Sequence, residues 1–311
     1  MMEKQKLIVI CGPTASGKSA LAVNLALEFG GEVVSADSMQ VYHGMDIGTA
    51  KPSRKEMRGV PHHMLDVADP SEDYSAARYR EQARACISDI AARGRLPILC
   101  GGTGLYISAA VYALDFSNAC ADEAYRAELR QYVLEHGKEA LHALLAKQSP
   151  ELAAAVHPNN VQRVIRALER LRSPQADSEP QSVFNGEPLY DAAWVGLTLP
   201  REELYRRIDA RVDAMMQAGL LDEVRRLSGQ CRSATAFQAL GYKELLAHID
   251  AGFPLDEAVE RIKQGTRNYA KRQLTWFRRE RAVRWFDVSE FENNRALAEA
   301  AAGYIRETLH I

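Results

Sequence analysis

Short apolar runs alternate along the chain with longer segments in which apolar residues recur every three or four positions. Runs of the first kind predict strands at residues 7–11, 32–36, 96–100, 194–199 and 283–287. Segments of the second kind predict helices at residues 20–29, 74–93, 201–228, 255–279 and 294–309. Strands that alternate with helices are typical of an α/β fold built on a parallel sheet.

A different texture, rich in Ala, Leu, Glu and Arg, begins near residue 115 and predicts a small helical insert. Helical spacing runs through residues 122–156, and a further helix follows Asn160 as its cap. The expected organisation is a P-loop-type core with a helical C-terminal part, interrupted by a mostly helical insertion domain. The predicted bounds are residues 1–116 and 186–311 for the core and 117–185 for the insertion.

Three local details complete the predicted organisation. Residues 61–66 predict a connection between elements, and the polar residues 173–185 predict a mobile loop. The helix that starts near residue 74 has Ser71 or Asp73 as its expected cap.

A glycine-rich segment directly joins the first predicted strand to the first predicted helix. It consists of Gly12, Pro13, Thr14, Ala15, Ser16, Gly17, Lys18 and Ser19. In this context the glycines let backbone N–H groups converge on one anion, and the helix adds its positive N-terminal dipole. Lys18 adds a mobile charge, and the Ser19 hydroxyl can bind Mg²⁺. The segment therefore predicts a cradle for a diphosphate or triphosphate.

The next two predicted strands each end in a residue that can do chemistry. The carboxyl ends of parallel strands line the ligand crevice, so Asp37 is expected to face the cradle; the alternative is a turn or cap residue. The other strand ends in Gly101, Gly102 and Thr103, where a hydrolytic P-loop enzyme usually has an Asp near Mg²⁺. Thr103 can donate a hydrogen bond to an oxyanion, and the alternative is a turn that only closes the strand.

The net charge of −2 conceals a basic segment near the C-terminus. Residues 261–284 contain nine basic side chains and one acid, Glu280. Cations interleaved with Tyr269, Trp276 and Phe277 suit an RNA surface, where they meet phosphates and stack on bases. The alternative is a basic amphipathic helix whose aromatic side chains pack inward.

A smaller basic face is predicted on the helix that follows Asn160. Arg163, Arg166 and Arg170 lie about one turn apart. Spacing alone leaves open whether this face binds an anion or is simply solvated.

Composition narrows the functional classes. The chain is 47% hydrophobic and 26% charged, as expected of a globular protein. Its five cysteines are scattered without a C-x-x-C pair, so we expect reduced thiols and no zinc site. No apolar run reaches the roughly 18 residues of a membrane span. We expect a cytoplasmic protein that acts as a monomer and has no membrane partner.

Two enzyme classes fit these features, and a binding module is a third possibility. In a small-molecule or nucleotide kinase, Asp37 would accept the proton of an attacking hydroxyl while the cradle held ATP. In a transferase with a diphosphate leaving group, Lys18 and Mg²⁺ would stabilise the departing diphosphate while Asp37 deprotonated the second substrate. A pure RNA-binding module would not need the cradle.

Six motifs, in order along the chain, resemble those of the bacterial tRNA dimethylallyltransferase (IPP transferase) family. They are GPTASGKS at 12–19, DSMQVY at 37–42, MDIGTAKP at 45–52, GGTGLY at 101–106, QRVIRALE at 162–169 and KRQLTWFR at 271–278. The first motif is shared with many P-loop enzymes, whereas the second and last are far more specific. The resemblance covers essentially the whole chain.

This resemblance implies transfer of a dimethylallyl group from dimethylallyl diphosphate to N6 of the adenine 3′ of the anticodon. The implied substrates are tRNAs that read codons beginning with U, and the implied cofactor is Mg²⁺, bound with the help of Ser19. Asp37 would be the general base, and Thr103 would contact the departing diphosphate. Arg166 would clamp its charge, with Arg163 as a second candidate.

The resemblance also implies a set of contacts to the tRNA anticodon stem-loop and favours the RNA interpretation of the basic segment. The implied contacts are Asp37, Ser38, Met39, Gln40, Thr103, Arg126, Gln162, Arg163, Val164, Ile165, Arg166, Phe237, Gln238, Ala239, Leu240, Gly241, Tyr242, Lys271, Arg272, Gln273, Leu274, Thr275, Trp276, Phe277 and Arg278. The target adenine must be splayed out of its loop to reach the general base inside the enzyme, and this requires a channel. The apolar walls for the prenyl tail are not identified by the sequence.

Overall fold

The computed structural model describes residues 4–113, 122–172, 186–229 and 235–311. These residues form two compact units. The described residues within 1–114 and 183–311 form the first unit, and those within 115–182 form the second.

The first unit is built on a six-stranded sheet in which every strand pair is parallel. The strands are β1 (Lys6–Cys11), β2 (Glu32–Ser35), β3 (His62–His63), β4 (Pro97–Cys100), β5 (Asp191–Thr198) and β6 (Val283–Asp287). Their spatial order is β3-β2-β4-β1-β5-β6. The chain thus winds away from β1 in both directions, as in doubly wound α/β folds.

Helices cover the sheet and extend from it in this unit. They are α1 (Lys18–Phe29), α2 (Arg54–Met57), α3 (Ala76–Ala92), α4 (Gly104–Val111), α9 (Arg201–Gln217), α10 (Leu220–Ser228), α11 (Tyr242–Ala251), α12 (Leu255–Phe277) and α13 (Asn294–Leu309). Short 3₁₀ turns span Ala236–Gln238 and Val288–Glu290.

The second unit contains four helices among its described residues. They are α5 (Glu123–His136), α6 (Lys138–Gln148), α7 (Pro150–Ala155) and α8 (Val161–Arg172). Their apolar faces meet in a separate small core that includes Leu129, Leu141, Val164 and Leu168.

Burial on both faces explains why the sheet strands read as continuous apolar runs. Ile8 and Ile10 of β1 share a core with Leu25 of α1 and Ile305 of α13. Val9 is also fully buried and, because strand side chains alternate, points to the opposite face.

The carboxyl edge of the sheet brings three predicted segments together. Gly101 N donates to Ile10 O at 3.0 Å, and Ala36 N donates to Cys100 O at 2.8 Å. The segments that follow β1, β2 and β4 are therefore neighbours at one edge. This is the crevice in which open α/β sheets bind their ligands.

The predicted strands and long helices are present, with ends shifted by a few residues, and two details are wrong. His62 and His63 form β3, which pairs with β2 through Val33 and Val34; two residues without an apolar run carry no strand pattern. The cap of α3 is Ser75, whose hydroxyl accepts from Arg78 N at 3.1 Å. The predicted loop at 173–185 lies outside the described residues. None of the helices in the described parts is long and apolar enough to span a membrane.

Candidate active site

The phosphate cradle is a tight loop between β1 and α1. Gly12 has φ of 140°, and a Cβ at this position would lie 2.6 Å from Leu197 O, so no other residue fits here. Lys18 Nζ donates to Pro13 O at 2.6 Å and therefore folds back over the loop. The hydroxyl of Ser16 is buried and has no hydrogen-bond partner among the described residues.

Lys18 carries a charge that the fold partly destabilises. Burial lowers its pKa to about 8, while the nearby Cys100 thiol and Asp37 carboxylate favour its charged form. At neutral pH the ammonium is still mostly protonated. A partly desolvated cation in this position interacts strongly with a bound anion.

The shape of the cradle is fixed from α12 by Gln273. Its side-chain oxygen accepts from Thr14 N at 2.8 Å, and its side-chain amide donates to Gly102 O at 2.9 Å. Gln273 is 4% exposed, and both ends of its amide are used. Gln273 therefore joins the P-loop to the Gly-Gly-Thr turn, and its expected contact with tRNA stays a prediction.

Asp37 begins a turn at the end of β2. Its Oδ1 accepts from Met39 N at 2.9 Å and from Gln40 N at 3.4 Å. The Thr103 hydroxyl accepts from Ser38 N at 3.0 Å and lies 3.3 Å from Ser38 Oγ. Asp37 and Thr103 are therefore held in one network, as their positions at adjacent strand ends predict.

Tyr269 of α12 lies beside this network. Its phenol is near the side chains of Thr103 and Gln273, and burial raises its pKa to about 12. It remains neutral at physiological pH. Its role was not assigned from sequence beyond the aromatic pattern of the basic segment.

Two adjoining cavities open on this edge of the sheet. The larger, about 1270 Å³, is lined by Lys18 and Ser19, and the smaller, about 310 Å³, is lined by Asp37 and Thr14. Three residues line both cavities: Ala50, Arg211 and Met215. The P-loop and Asp37 thus border two cavities that share these three lining residues.

Arg211 of α9 is the functional candidate that sequence reasoning missed. Burial lowers its pKa, while the Asp37 and Glu56 carboxylates favour its charged form. The only sequence signal was its position four residues after Arg207, beside the buried Ile208 and Val212 of an amphipathic helix. That pattern is common on solvated helices, and only the tertiary fold brings this guanidinium to the cavities.

Apolar side chains line part of the larger cavity, which the sequence did not identify. They come from three helices: Val23 of α1, Met57 of α2 and Ala214, Met215 of α9. A ligand with a charged head and an apolar tail has suitable surfaces for both in this space.

The exposed and buried side chains of the KRQLTWFR motif separate clearly on α12. Lys271, Arg272, Thr275 and Arg278 are exposed, whereas Phe277 is buried and Leu274 and Trp276 are partly buried. Each of the two alternatives stated for this helix therefore describes a different face: the exposed face carries the cations, and Phe277 packs inward. Contact of the exposed face with RNA stays a prediction.

The segment 237–242 borders the smaller cavity. Gln238, Ala239, Leu240 and Gly241 line it. The side chains of Phe237 and Tyr242 are buried and pack edge to face, 6.4 Å between ring centroids. These two aromatic side chains are therefore packed behind the lining of the smaller cavity and are not exposed in it.

The remaining predicted ligand contacts lie in the second unit. Gln162, Arg163 and Arg166 are exposed on α8, whereas Val164 and Ile165 are buried in the core of that unit. The predicted roles of the exposed side chains stay predictions.

Arg126, which was also expected to contact tRNA, is engaged within the second unit. Its guanidinium donates to Glu169 at 2.9 Å and to Glu123 at 2.8 Å. Its predicted contact with tRNA is likewise still a prediction.

A metal ion at this site would be coordinated mostly by oxygens of the bound substrate and of water, and only to a small extent by protein side chains. Among the described residues, no group of three or more His, Cys, Asp or Glu side chains is placed to hold a metal. Ser19 is exposed and lines the larger cavity. One hydroxyl combined with phosphate and water oxygens suits Mg²⁺, which keeps several waters and is often held through substrate phosphates.

Comparisons with known proteins agree on one family. The family model described as IPP transferase matches residues 40–280. The chain is 52% identical to the tRNA dimethylallyltransferase of Geobacillus thermodenitrificans, over 99% of this chain and 98% of that protein. It is 49% identical to the tRNA dimethylallyltransferase of Bacillus subtilis, over 92% of each.

Solved structures give the same result. The full-length tRNA isopentenylpyrophosphate transferase from Bacillus halodurans matches with a TM-score of 0.74 and 44% identity, over 99% of each chain. A eukaryotic dimethylallyltransferase acting on tRNA matches with a TM-score of 0.76 and 31% identity, over 96% of this chain and 78% of that one.

Proposed function

The chain belongs to the IPP transferase family, and we propose that it transfers a dimethylallyl group from dimethylallyl diphosphate to tRNA. One observation carries the proposal beyond membership. The P-loop and Asp37 line two adjoining cavities, so a diphosphate donor and a second substrate can approach a common wall from different spaces.

The larger cavity is proposed to bind the donor. Backbone N–H groups of residues 12–19 and the ammonium of Lys18 would surround its diphosphate, and the unpaired Ser16 hydroxyl offers a further hydrogen bond. Arg211 adds a second charge from α9, and Arg166 remains the proposed clamp of the second unit. Mg²⁺, held with Ser19, would neutralise charge on the leaving diphosphate.

The smaller cavity is proposed to take the adenine 3′ of the anticodon. Its N6 nitrogen forms a bond to the allylic carbon while the carbon–oxygen bond to diphosphate breaks. Nitrogen thereby becomes acidic and loses a proton to the Asp37 carboxylate. Since Oδ1 accepts two backbone N–H groups, Oδ2 is assigned to that transfer.

Thr103 is proposed to have two roles: it holds the turn that carries Asp37, and it contacts the departing diphosphate. Its hydroxyl holds the turn of Asp37 through Ser38 N, and it lies next to the phenol of Tyr269. We assign it the further contact with the departing diphosphate. A small hydroxyl in this network can keep the base oriented as charge moves toward the cradle.

The exposed cations of α12 are proposed to bind the phosphates of the tRNA anticodon stem-loop. tRNAs that read codons beginning with U are the proposed acceptors. Because one chain supplies the cradle, the base and the basic face, we propose that the protein acts as a monomer. We also propose that it acts in the cytoplasm.

A parallel assay separates this proposal from a P-loop kinase. The protein is incubated with Mg²⁺, unmodified tRNA and dimethylallyl diphosphate labelled in the prenyl group, and separately with labelled ATP and candidate kinase acceptors. We expect label in tRNA only in the first reaction. Phosphoryl transfer to an acceptor, with unlabelled tRNA, would instead establish the kinase.

A further inference from the structure

A short segment of the MDIGTAKP motif forms the wall between the two cavities. Asp46 and Ile47 line the larger cavity, Gly48 and Thr49 line the smaller one, and Ala50 lines both. Any displacement of residues 46–50 therefore changes both cavities.

A single buried carboxylate holds three consecutive backbone amides of this wall. Glu223 Oε2 accepts from Asp46 N at 3.0 Å and from Ile47 N at 2.8 Å, and Oε1 accepts from Gly48 N at 3.0 Å. The phenol of Tyr242 donates to Oε1 at 2.6 Å. Glu223 is 5% exposed, so all four donors approach it inside the protein.

The fit around this carboxylate is close. A Cβ on Gly48 would lie 2.5 Å from the Tyr242 ring, so the segment can pass the ring only with glycine at this position. From the opposite side, the Gln40 amide donates to Thr49 O at 3.2 Å and to Ala50 O at 3.3 Å. The wall is thus held by its N–H groups on one side and by its carbonyls on the other.

We propose that Glu223 is a positioning residue for the transfer reaction, which sets the wall between the donor and acceptor cavities by binding the amides of residues 46–48. The inference rests on the proposed function, because only a reaction between two substrates needs this wall at a defined place. Glu223 lies on α10 and lines neither cavity among the described residues, so it acts through the segment and not by touching a substrate.

The four donors determine what each substitution does. Glu223→Gln keeps the size and one acceptor oxygen, but its NH₂ group must face at least one N–H or O–H donor. Tyr242→Phe removes the phenol donor and leaves the three amides paired. Asp222→Asn is the matched control, since Asp222 is the exposed neighbour on α10 and pairs with Arg225 on the same helix.

The test combines steady-state kinetics with hydrogen exchange on the full chain. For Glu223→Gln we expect kcat to fall about 10- to 100-fold, because a wall displaced by about 1 Å misaligns the reacting atoms. The KM for dimethylallyl diphosphate should change by a smaller factor than kcat, because residues 12–19, which are proposed to hold the diphosphate, are untouched, although Asp46 and Ile47 border the same cavity. The amides of residues 46–48 should exchange at least about 10-fold faster while the amides of β1 keep their protection.

Tyr242→Phe should give a smaller decrease in kcat, again with a smaller change in the KM for dimethylallyl diphosphate. Asp222→Asn should behave as wild type. A Glu223→Gln protein with wild-type kcat, or one with lower kcat but unchanged exchange at residues 46–48, would overturn the positioning role. Wild-type protein that transfers no prenyl group would contradict the proposed function instead, so the two failures are distinguishable.

Discussion

Lys18 shows how one residue can connect the fold to the pH dependence of ligand binding. Its ammonium is folded back onto Pro13 O in a partly buried loop, and burial lowers its pKa to about 8. The protonated form can pair with the proposed diphosphate ligand, whereas the neutral form contributes no charge. The charge is therefore present below this pKa and is lost as the pH rises through it.

From this shift we predict that the affinity for dimethylallyl diphosphate decreases as the pH rises from about 7 to about 9. Calorimetric titration at several pH values measures the dissociation constant directly. Lys18→Arg, which stays charged over this range, should bind with a flatter pH profile. Equal pH profiles for the two proteins would exclude Lys18 as the titrating group.

Asp37 is the second residue with a separable role. Asp37→Ala should decrease kcat at least about 10²-fold, the usual contribution of a general base, while tRNA affinity changes little. Single-turnover transfer and filter binding measure the two quantities. Asp89→Ala, which removes an exposed carboxylate on α3, is the control and should keep full activity. Near-normal turnover of Asp37→Ala would rule out its assignment as the base.

At the scale of elements, α12 has two chemically different faces, and we propose a separate function for each. One face brings the buried Gln273 and the partly buried Tyr269 to the carboxyl edge of the sheet, and the exposed face presents Lys271, Arg272 and Arg278. A helix that is fixed to the P-loop on one side can hold a polyanion at a defined place on the other.

Neutralising Lys271, Arg272 and Arg278 to alanine should weaken tRNA binding and lower its salt dependence by roughly one unit of slope per lost phosphate contact. Binding measured over a series of salt concentrations gives that slope. The control is Arg295→Ala, an exposed arginine on α13. A salt slope equal to that of wild type would exclude the exposed face of α12 from the RNA interface.

The buried face of α12 leads to a stability prediction. Gln273→Leu leaves Thr14 N and Gly102 O without their partners, so the free energy of unfolding should decrease by about 2–4 kcal/mol. Thr275→Ala on the exposed face should change it by less than about 0.5 kcal/mol. Denaturant titration measures both. Equal stabilities of the two variants would show that Gln273 does not hold the cradle.

For the whole molecule, the sequence predicted what depends on local pattern and missed what depends on tertiary contacts. The P-loop and Asp37 follow apolar strands directly, so their place at the sheet edge could be deduced from the pattern of residues alone. Gln273 illustrates the opposite case, because its partners lie more than 150 residues away along the chain. Its motif identified the helix but not which of its side chains turn inward.

Arg211 and Glu223 were missed for the same physical reason. Each lies on an amphipathic helix whose charged residues look solvated in sequence. Only the fold brings Arg211 near the Asp37 and Glu56 carboxylates and brings Glu223 to the backbone amides of residues 46–48. The two-residue strand β3 was missed because it contains no apolar run and exists only by pairing with β2. Local pattern therefore located the P-loop and Asp37 at the sheet edge, whereas the residues that support them could be found only from the fold.

The proposed reaction breaks the carbon–oxygen bond of a prenyl diphosphate. Dimethylallyl diphosphate carrying a heavy oxygen isotope at the bridging position, incubated with the protein, Mg²⁺ and unmodified tRNA, tests it directly by mass spectrometry. We predict that all of the heavy oxygen is found in the released diphosphate, and that the tRNA gains a dimethylallyl group without it. Heavy oxygen found in dimethylallyl alcohol, together with unmodified tRNA, would show phosphorus–oxygen cleavage and contradict the proposed prenyl transfer.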